Sequence, residues 1–142
     1  MRDVTLEDLE KHRSVLSDLE FRRCRHVITE NARVKDAEDA LQHSDLPRFG
    51  QLMYASHQSL DQDYDVSCRE LNLMVDLARK VDGVYGSRMT GGGFGGCTVN
   101  LVDSKAVPEF KTSIARHYEN VTTLSPQIFV SHPAAGATEL PL

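Results

Sequence analysis

Apolar positions through the first half of the chain recur at helical spacing. Leu6, Leu9, Val15, Leu16 and Leu19 form a loose stripe, and Phe21, Cys24, Val27, Ile28, Ala37 and Leu41 continue it with no Gly or Pro in between. Side chains three or four apart share one helix face, so the pattern predicts a long helix or a helix pair. A further stripe, Leu46, Phe49, Leu52, Met53, Ser56 and Leu60, follows Asp45, a residue suited to cap a helix start, and Pro47, which a first turn tolerates.

Ser67 and Glu70 have the spacing of a capping box, with Val66 and Leu71 placed as a hydrophobic staple. They predict a helix of about fifteen residues with Leu71, Met74, Leu77, Ala78 and Val81 inward, stopped by Asp82-Gly83. Beyond Gly83 the period shortens to two: Val84 and Tyr85 lead to a glycine run, after which Cys97, Val99 and Leu101 alternate with Thr98 and Asn100. This predicts strand, turn, strand. Ser104 is a candidate cap for a helix carrying Val107, Phe110, Ile114 and Tyr118 inward, with Pro108 in its first turn. Residues 127–131, with Ile128 and Val130 on one face, predict another strand, residues 133–136 a turn, and residues 138–140 a short edge strand. Helices first and strands later make the expected class α+β, helices packed on a small antiparallel sheet.

A length of 142 residues is one domain's worth, and 40% hydrophobic with 26% charged residues is an ordinary globular balance. A single domain over residues 1–142 is expected. The apolar runs are too short for a membrane span, and Met1, Arg2 and Asp3 do not open a signal peptide, so the expected location is cytoplasmic. A net charge of −5 argues against nucleic acid or an acidic membrane as partner. The excess is local: residues 1–71 hold all of it and residues 72–142 are neutral, which makes the second half the better place for an anionic ligand. Cys24, Cys68 and Cys97 lack disulfide or zinc spacing and are expected to be reduced, half-buried side chains, Cys97 facing the core. The six histidines show no ligand spacing either.

Five of the nine glycines fall within six positions, Gly91-Gly92-Gly93-Phe94-Gly95-Gly96. Such a run persists where the backbone takes positive φ or passes close to something bulky. A row of amide N–H groups there can form a concave nest for anionic oxygens, with Thr90 adding a hydroxyl and Arg88 a charge. Gly91, Gly93 and Gly96 satisfy the dinucleotide fingerprint, but that motif must open a helix and Cys97 opens a strand. A phosphate loop of the Walker type needs Lys after its last glycine, and a protein kinase needs catalytic motifs that this chain lacks. From these six residues alone, an anion cradle and a purely structural hairpin packed on neighbouring backbone are equally open.

The longer string Gly86-Ser87-Arg88-Met89-Thr90-Gly91-Gly92-Gly93-Phe94-Gly95-Gly96-Cys97 resembles the third conserved motif of the galactokinases, members of the GHMP small-molecule kinase superfamily. Phe21-Arg22-Arg23-Cys24-Arg25-His26, Ser56-His57-Gln58-Ser59-Leu60 and Asp63-Tyr64-Asp65-Val66-Ser67-Cys68-Arg69-Glu70-Leu71 extend the resemblance upstream. Asn72 departs from it, standing where the family usually has Asp, with little expected consequence. The resemblance implies the C-terminal domain of a GHMP kinase, ferredoxin-like in two layers. It also implies an enzyme that in complete form uses ATP and Mg²⁺ to phosphorylate galactose at its anomeric hydroxyl.

The sugar-binding, phosphate-cradling and catalytic segments of that family are absent from this sequence. The resemblance therefore implies that the N-terminal domain is a separate partner, that no catalytic residue and no metal ligand lies in this chain, and that the chain alone binds no cofactor and does not turn over. Ser87, Arg88, Thr90, Gly91, Gly92, Gly93, Phe94, Gly95 and Gly96 are then the substrate-side and phosphate-side loop. A non-catalytic binding or regulatory module is the alternative. A missing half predicts exposed apolar surface and self-association. Two further clusters read as structural: Arg22, Arg23, Arg25 and His26 as a solvated helix face, and Asp61, Asp63 and Asp65 as the polar approach to the Ser67 cap, since the calcium-loop Gly and Glu are missing.

Overall fold

Two reciprocal caps divide the N-terminal apolar stripe into separate helices. The computed structural model describes residues 3–134. Thr5 and Asp8 exchange capping bonds at the start of α1 (Leu6–Lys11), and Ser17 and Glu20 do the same for α2 (Asp18–Gln42). A 3₁₀ turn, Arg13–Val15, lies between them. The helix pair forms because each cap satisfies amides that a continuous helix would bond internally. α3 (Leu46–Ser59) starts as the sequence predicts, with the Arg48 amide donating to Asp45 Oδ1 at 3.0 Å and Pro47 in the first turn. It runs directly into a π-helical turn, Leu60–Tyr64, closed by Asp65 in the left-handed region.

α4 (Arg69–Ala78) is shorter than predicted and is not capped by Ser67. The capping position falls to Cys68, which makes no side-chain bond, because the Ser67 hydroxyl donates to Asn72 Oδ1 at 2.6 Å. β1 (Val84–Thr90) and β2 (Cys97–Val102) pair antiparallel as predicted, from Thr90 opposite Cys97 back to an irregularity between Val84 and Gly86. α5 (Val107–Thr122) begins after Ala106 without a side-chain cap; Ser104 lies in the preceding turn, where Asp103 Oδ1 accepts the Lys105 amide. Cys97 is exposed on β2 and does not face the core.

The predicted strand at 127–131 is not formed. The segment is irregular, with Phe129 87% exposed, yet Ile128 still packs on the core between α4 and α5. Its apolar alternation finds burial for one side chain and no ladder partner among the described residues. The predicted edge strand at 138–140 lies outside the described residues.

Helices α4 and α5 and the strands close one apolar cluster around Ala78, Val81, Phe110 and Ile114. Leu9, Phe21 and Ile28 join α1 to α2 in a second. α3 is laid across β1 at a crossing of bare backbone. A Cβ on Gly50 would stand 1.8 Å from the Tyr85 carbonyl oxygen, and one on Gly86 would stand 2.5 Å from Gly50 Cα. Two glycines facing each other permit this approach, and it fixes β1, with the loop that follows it, against the side chains of α3.

Candidate functional site

The connection between the strands, residues 91–96, holds four glycines and Phe94 at positive φ: Gly91 at 84°, Gly93 at 85°, Phe94 at 58°, Gly95 at 130° and Gly96 at 98°. Among the described residues only the Phe94 amide finds a backbone acceptor, donating to the Val66 carbonyl at 2.7 Å. The amides of Gly91, Gly92, Gly93, Gly95 and Gly96 have no protein partner there. Because a backbone donor demands an acceptor, a loop of open amides at positive φ is chemically a nest for an anion or for water.

The two readings of the glycine run divide along the loop. A Cβ on Gly93 would lie 2.1 Å from the Val66 carbonyl oxygen, so this glycine is required by close packing. Added Cβ atoms at Gly91, Gly92, Gly95 and Gly96 would meet nothing within 4 Å. Phe94, at the tip, is 76% exposed and borders a cavity of about 530 Å³ that Arg23, Tyr64 and Val66 also line.

Loop position is set from two sides. At its base, the Met89 amide donates to His57 Nδ1 of α3 at 3.2 Å. At its tip, Val66 presents its carbonyl because the π-helical turn bends the chain there, with the Val66 amide bonded back to Leu60 at 3.1 Å. That turn is held by the arginines of α2. Arg22 donates to the Gln62 carbonyl at 2.9 Å, Arg23 to the Asp63 carbonyl, and Arg25 pairs with the Asp63 carboxylate. Ser59 completes the Asp63 acceptor set at 3.0 Å and is itself joined to His26. Arg22, Arg23 and Arg25 are thus clamps on a helix end rather than a solvated face, an assignment that periodicity missed because their acceptors lie about forty residues away in sequence. Asp63 is buried and is the centre of this clamp, whereas Asp61 belongs to another network.

Asn72 is central to that other network. Its Nδ2 donates to Asp61 at 2.8 Å and its Oδ1 accepts from Ser67 at 2.6 Å. Burial holds the His57 pKa below the ordinary histidine value, against the opposing fields of Asp61 and Asp76. A ring whose Nδ1 accepts a backbone N–H is neutral with its proton on Nε2.

Arg88 and Ser87 point in different directions. Ser87 is fully buried with no partner for its hydroxyl. The Arg88 guanidinium turns toward Glu30 of α2, at 3.5 Å, inside a cavity of about 410 Å³ that Thr90 and Val99 also line. Burial opposes ionisation of Glu30, but bonds from Ser56 (2.6 Å) and Arg33 (2.7 Å), with the charge of Arg88, hold its carboxyl below the usual range. Arg88 shares the one Glu30 carboxylate with Arg33, which lies closer to it, so the Arg33–Glu30–Arg88 cluster keeps one net positive charge beside the base of the loop.

Helix α3 crosses the hairpin at Gly50 and Gly86, and the glycine-rich turn stands at the hairpin tip. Residues 37–120 match the family described as GHMP kinases C terminal, and the chain belongs to it. Within that class the chain is similar to the C-terminal part of galactokinases. It is 48% identical to human galactokinase over 140 residues, which is 99% of this chain and 35% of that protein. The structure of Lactococcus lactis galactokinase complexed with galactose superposes with a TM-score of 0.83 at 36% identity, over 87% of this chain and 32% of that one. L. major mevalonate kinase in complex with R-mevalonate gives 0.57 at 31% identity over 82% and 33%. The chain spans about a third of the length of the curated relatives it matches.

Proposed function

We propose that this chain is the C-terminal domain of a galactokinase, in which it helps transfer the γ-phosphoryl group of ATP to the anomeric hydroxyl of galactose. The observation that carries this reading is the set of five unpartnered amides at the hairpin tip. Together with the Thr90 hydroxyl, they donate hydrogen bonds to phosphate oxygens and cover them from water, which is electrostatic positioning rather than covalent chemistry. Arg88 and Ser87 support the strand from which the loop springs. ATP fits this cradle through its phosphates. The resemblance assigns the magnesium ion that accompanies ATP to residues outside this chain. The cation and the sugar are held by an N-terminal galactokinase portion, which also covers apolar side chains such as Val34 (63% exposed) and Val99 (47% exposed).

The chain alone is expected not to turn over. Mixing it with the N-terminal portion of human galactokinase should restore ATP-dependent phosphorylation of galactose. Association without turnover, in a mixture whose N-terminal portion is active with its own C-terminal part, favours a regulatory module instead.

A further inference from the structure

We propose that His57 is a positioning residue for the glycine-rich loop, its imidazole held on the last turn of α3 and holding the Met89 amide so that the amides of residues 91–96 meet the phosphates in register. This inference rests on the phosphate-side reading of the loop given above.

Met89 is 1% exposed, so its N–H has no access to water, and His57 Nδ1 is the acceptor it finds. The bond lies two residues before Gly91, at the last fully buried residue of β1. Beyond it the loop has one further protein bond, from Phe94 to Val66. Both bonds lead back to one short stretch of chain. His57 lies in the last turn of α3, α3 runs directly into the π-helical turn, and the Val66 amide is bonded back to Leu60 at 3.1 Å. The imidazole and the Val66 carbonyl are thereby fixed relative to each other, and the hairpin is suspended between them.

The first test is spectroscopic and uses this chain. With ¹⁵N-labelled histidine at neutral pH, His57 is expected to carry its proton on Nε2 with Nδ1 unprotonated, and a protonated Nδ1 overturns the inference. His57→Leu removes the acceptor, whereas His57→Asn returns an oxygen near the Nδ1 position. The amide resonances of Met89 and residues 91–96 should shift in His57→Leu and move back toward wild type in His57→Asn. Unshifted loop resonances in a folded His57→Leu protein overturn it.

The second test uses the enzyme reassembled with the N-terminal portion of human galactokinase. His57→Leu should lower kcat/KM for ATP roughly 10- to 100-fold, the scale of a misplaced contact. KM for ATP should rise while KM for galactose stays constant, and His57→Asn should recover most of the loss. A structural defect that only reduced the amount of active protein would lower kcat and leave both KM values unchanged, which counts against positioning. Gly92→Ala separates the two claims. If it weakens ATP use and His57→Leu does not, the positioning inference fails alone; if neither does, the phosphate reading fails with it.

Discussion

Two pairs of neighbouring glycines stand within one hairpin's reach of each other and do opposite things. At Gly50 and Gly86 the missing Cβ lets helix α3 touch strand β1 backbone to backbone. At Gly91 and Gly92 the space around the missing Cβ is empty. The first pair is explained by what the protein puts against it, the second by what the protein leaves open. Burial and closure belong to the mount of the loop and availability to its tip, so substitutions at the mount should register first as instability and those at the tip first as lost ligand affinity.

The largest effect expected is at the mount. Gly→Ala in an exposed helix interior ordinarily stabilises by up to about 1 kcal/mol. Gly50→Ala should do the reverse, because its methyl group would overlap the Tyr85 carbonyl at 1.8 Å and the strand must move to admit it. Destabilisation of about 3 kcal/mol is expected, at the top of the range for overpacking. Urea unfolding measures it, and a neutral or stabilising result breaks the distinction between the two pairs.

A second, smaller effect follows from the buried histidines of the mount. Desolvation lowers the pKa of both His26 and His57. Around His26 stand Glu30, Asp63, Arg33 and Arg88; around His57 stand Asp61, Asp76 and Arg79. For such groups the unfolded chain binds a proton more readily, so their contribution to stability is complete above the ordinary histidine value of about 6.5 and is lost as pH falls below it. Glu30, also held low, adds a further loss in the more acidic carboxylate range. Unfolding free energy should therefore fall between about pH 7.5 and pH 5.5, and His57→Asn should fall less over that interval. An equal or steeper fall in His57→Asn would show that ring charging at position 57 does not load the mount.

The tip was legible from sequence and the mount was not, for a physical reason. Glycine spacing, strand alternation on both sides and the cap at Asp45 are local patterns, and each reappears in the fold where the residues placed it. The resemblance of the motif reached the family because it too is a local string. The mount is built from contacts distant in sequence: Arg25 with Asp63, His57 with Met89, Gly50 with Gly86. No period records these. The errors came from the same source. The capping box at Ser67 and Glu70 has the right spacing, but Asn72 takes the Ser67 hydroxyl, so a residue that seemed inconsequential in the string ties Ser67 to Asp61. The apolar alternation at 127–131 is real, yet a strand also needs a partner, and the pattern does not say whether one is at hand.

The smallest stability effect and the most specific functional one should coincide at Gly92. It is the glycine of the run whose φ is not positive, and no atom stands within 4 Å of an added Cβ, so alanine fits the backbone without strain or collision. Stability should change by no more than about 0.5 kcal/mol, as for surface positions generally. If the amides of the run solvate phosphate oxygens, a methyl group on their open side occupies the space of the ligand. ATP binding by the reassembled enzyme should then weaken while thermal unfolding of the chain stays in place. Calorimetric titration with ATP beside a melting curve of the same preparation reads both quantities. A Gly92→Ala protein that melts early with its ATP affinity intact would make the open tip a packing feature after all, and would remove the contrast with Gly50.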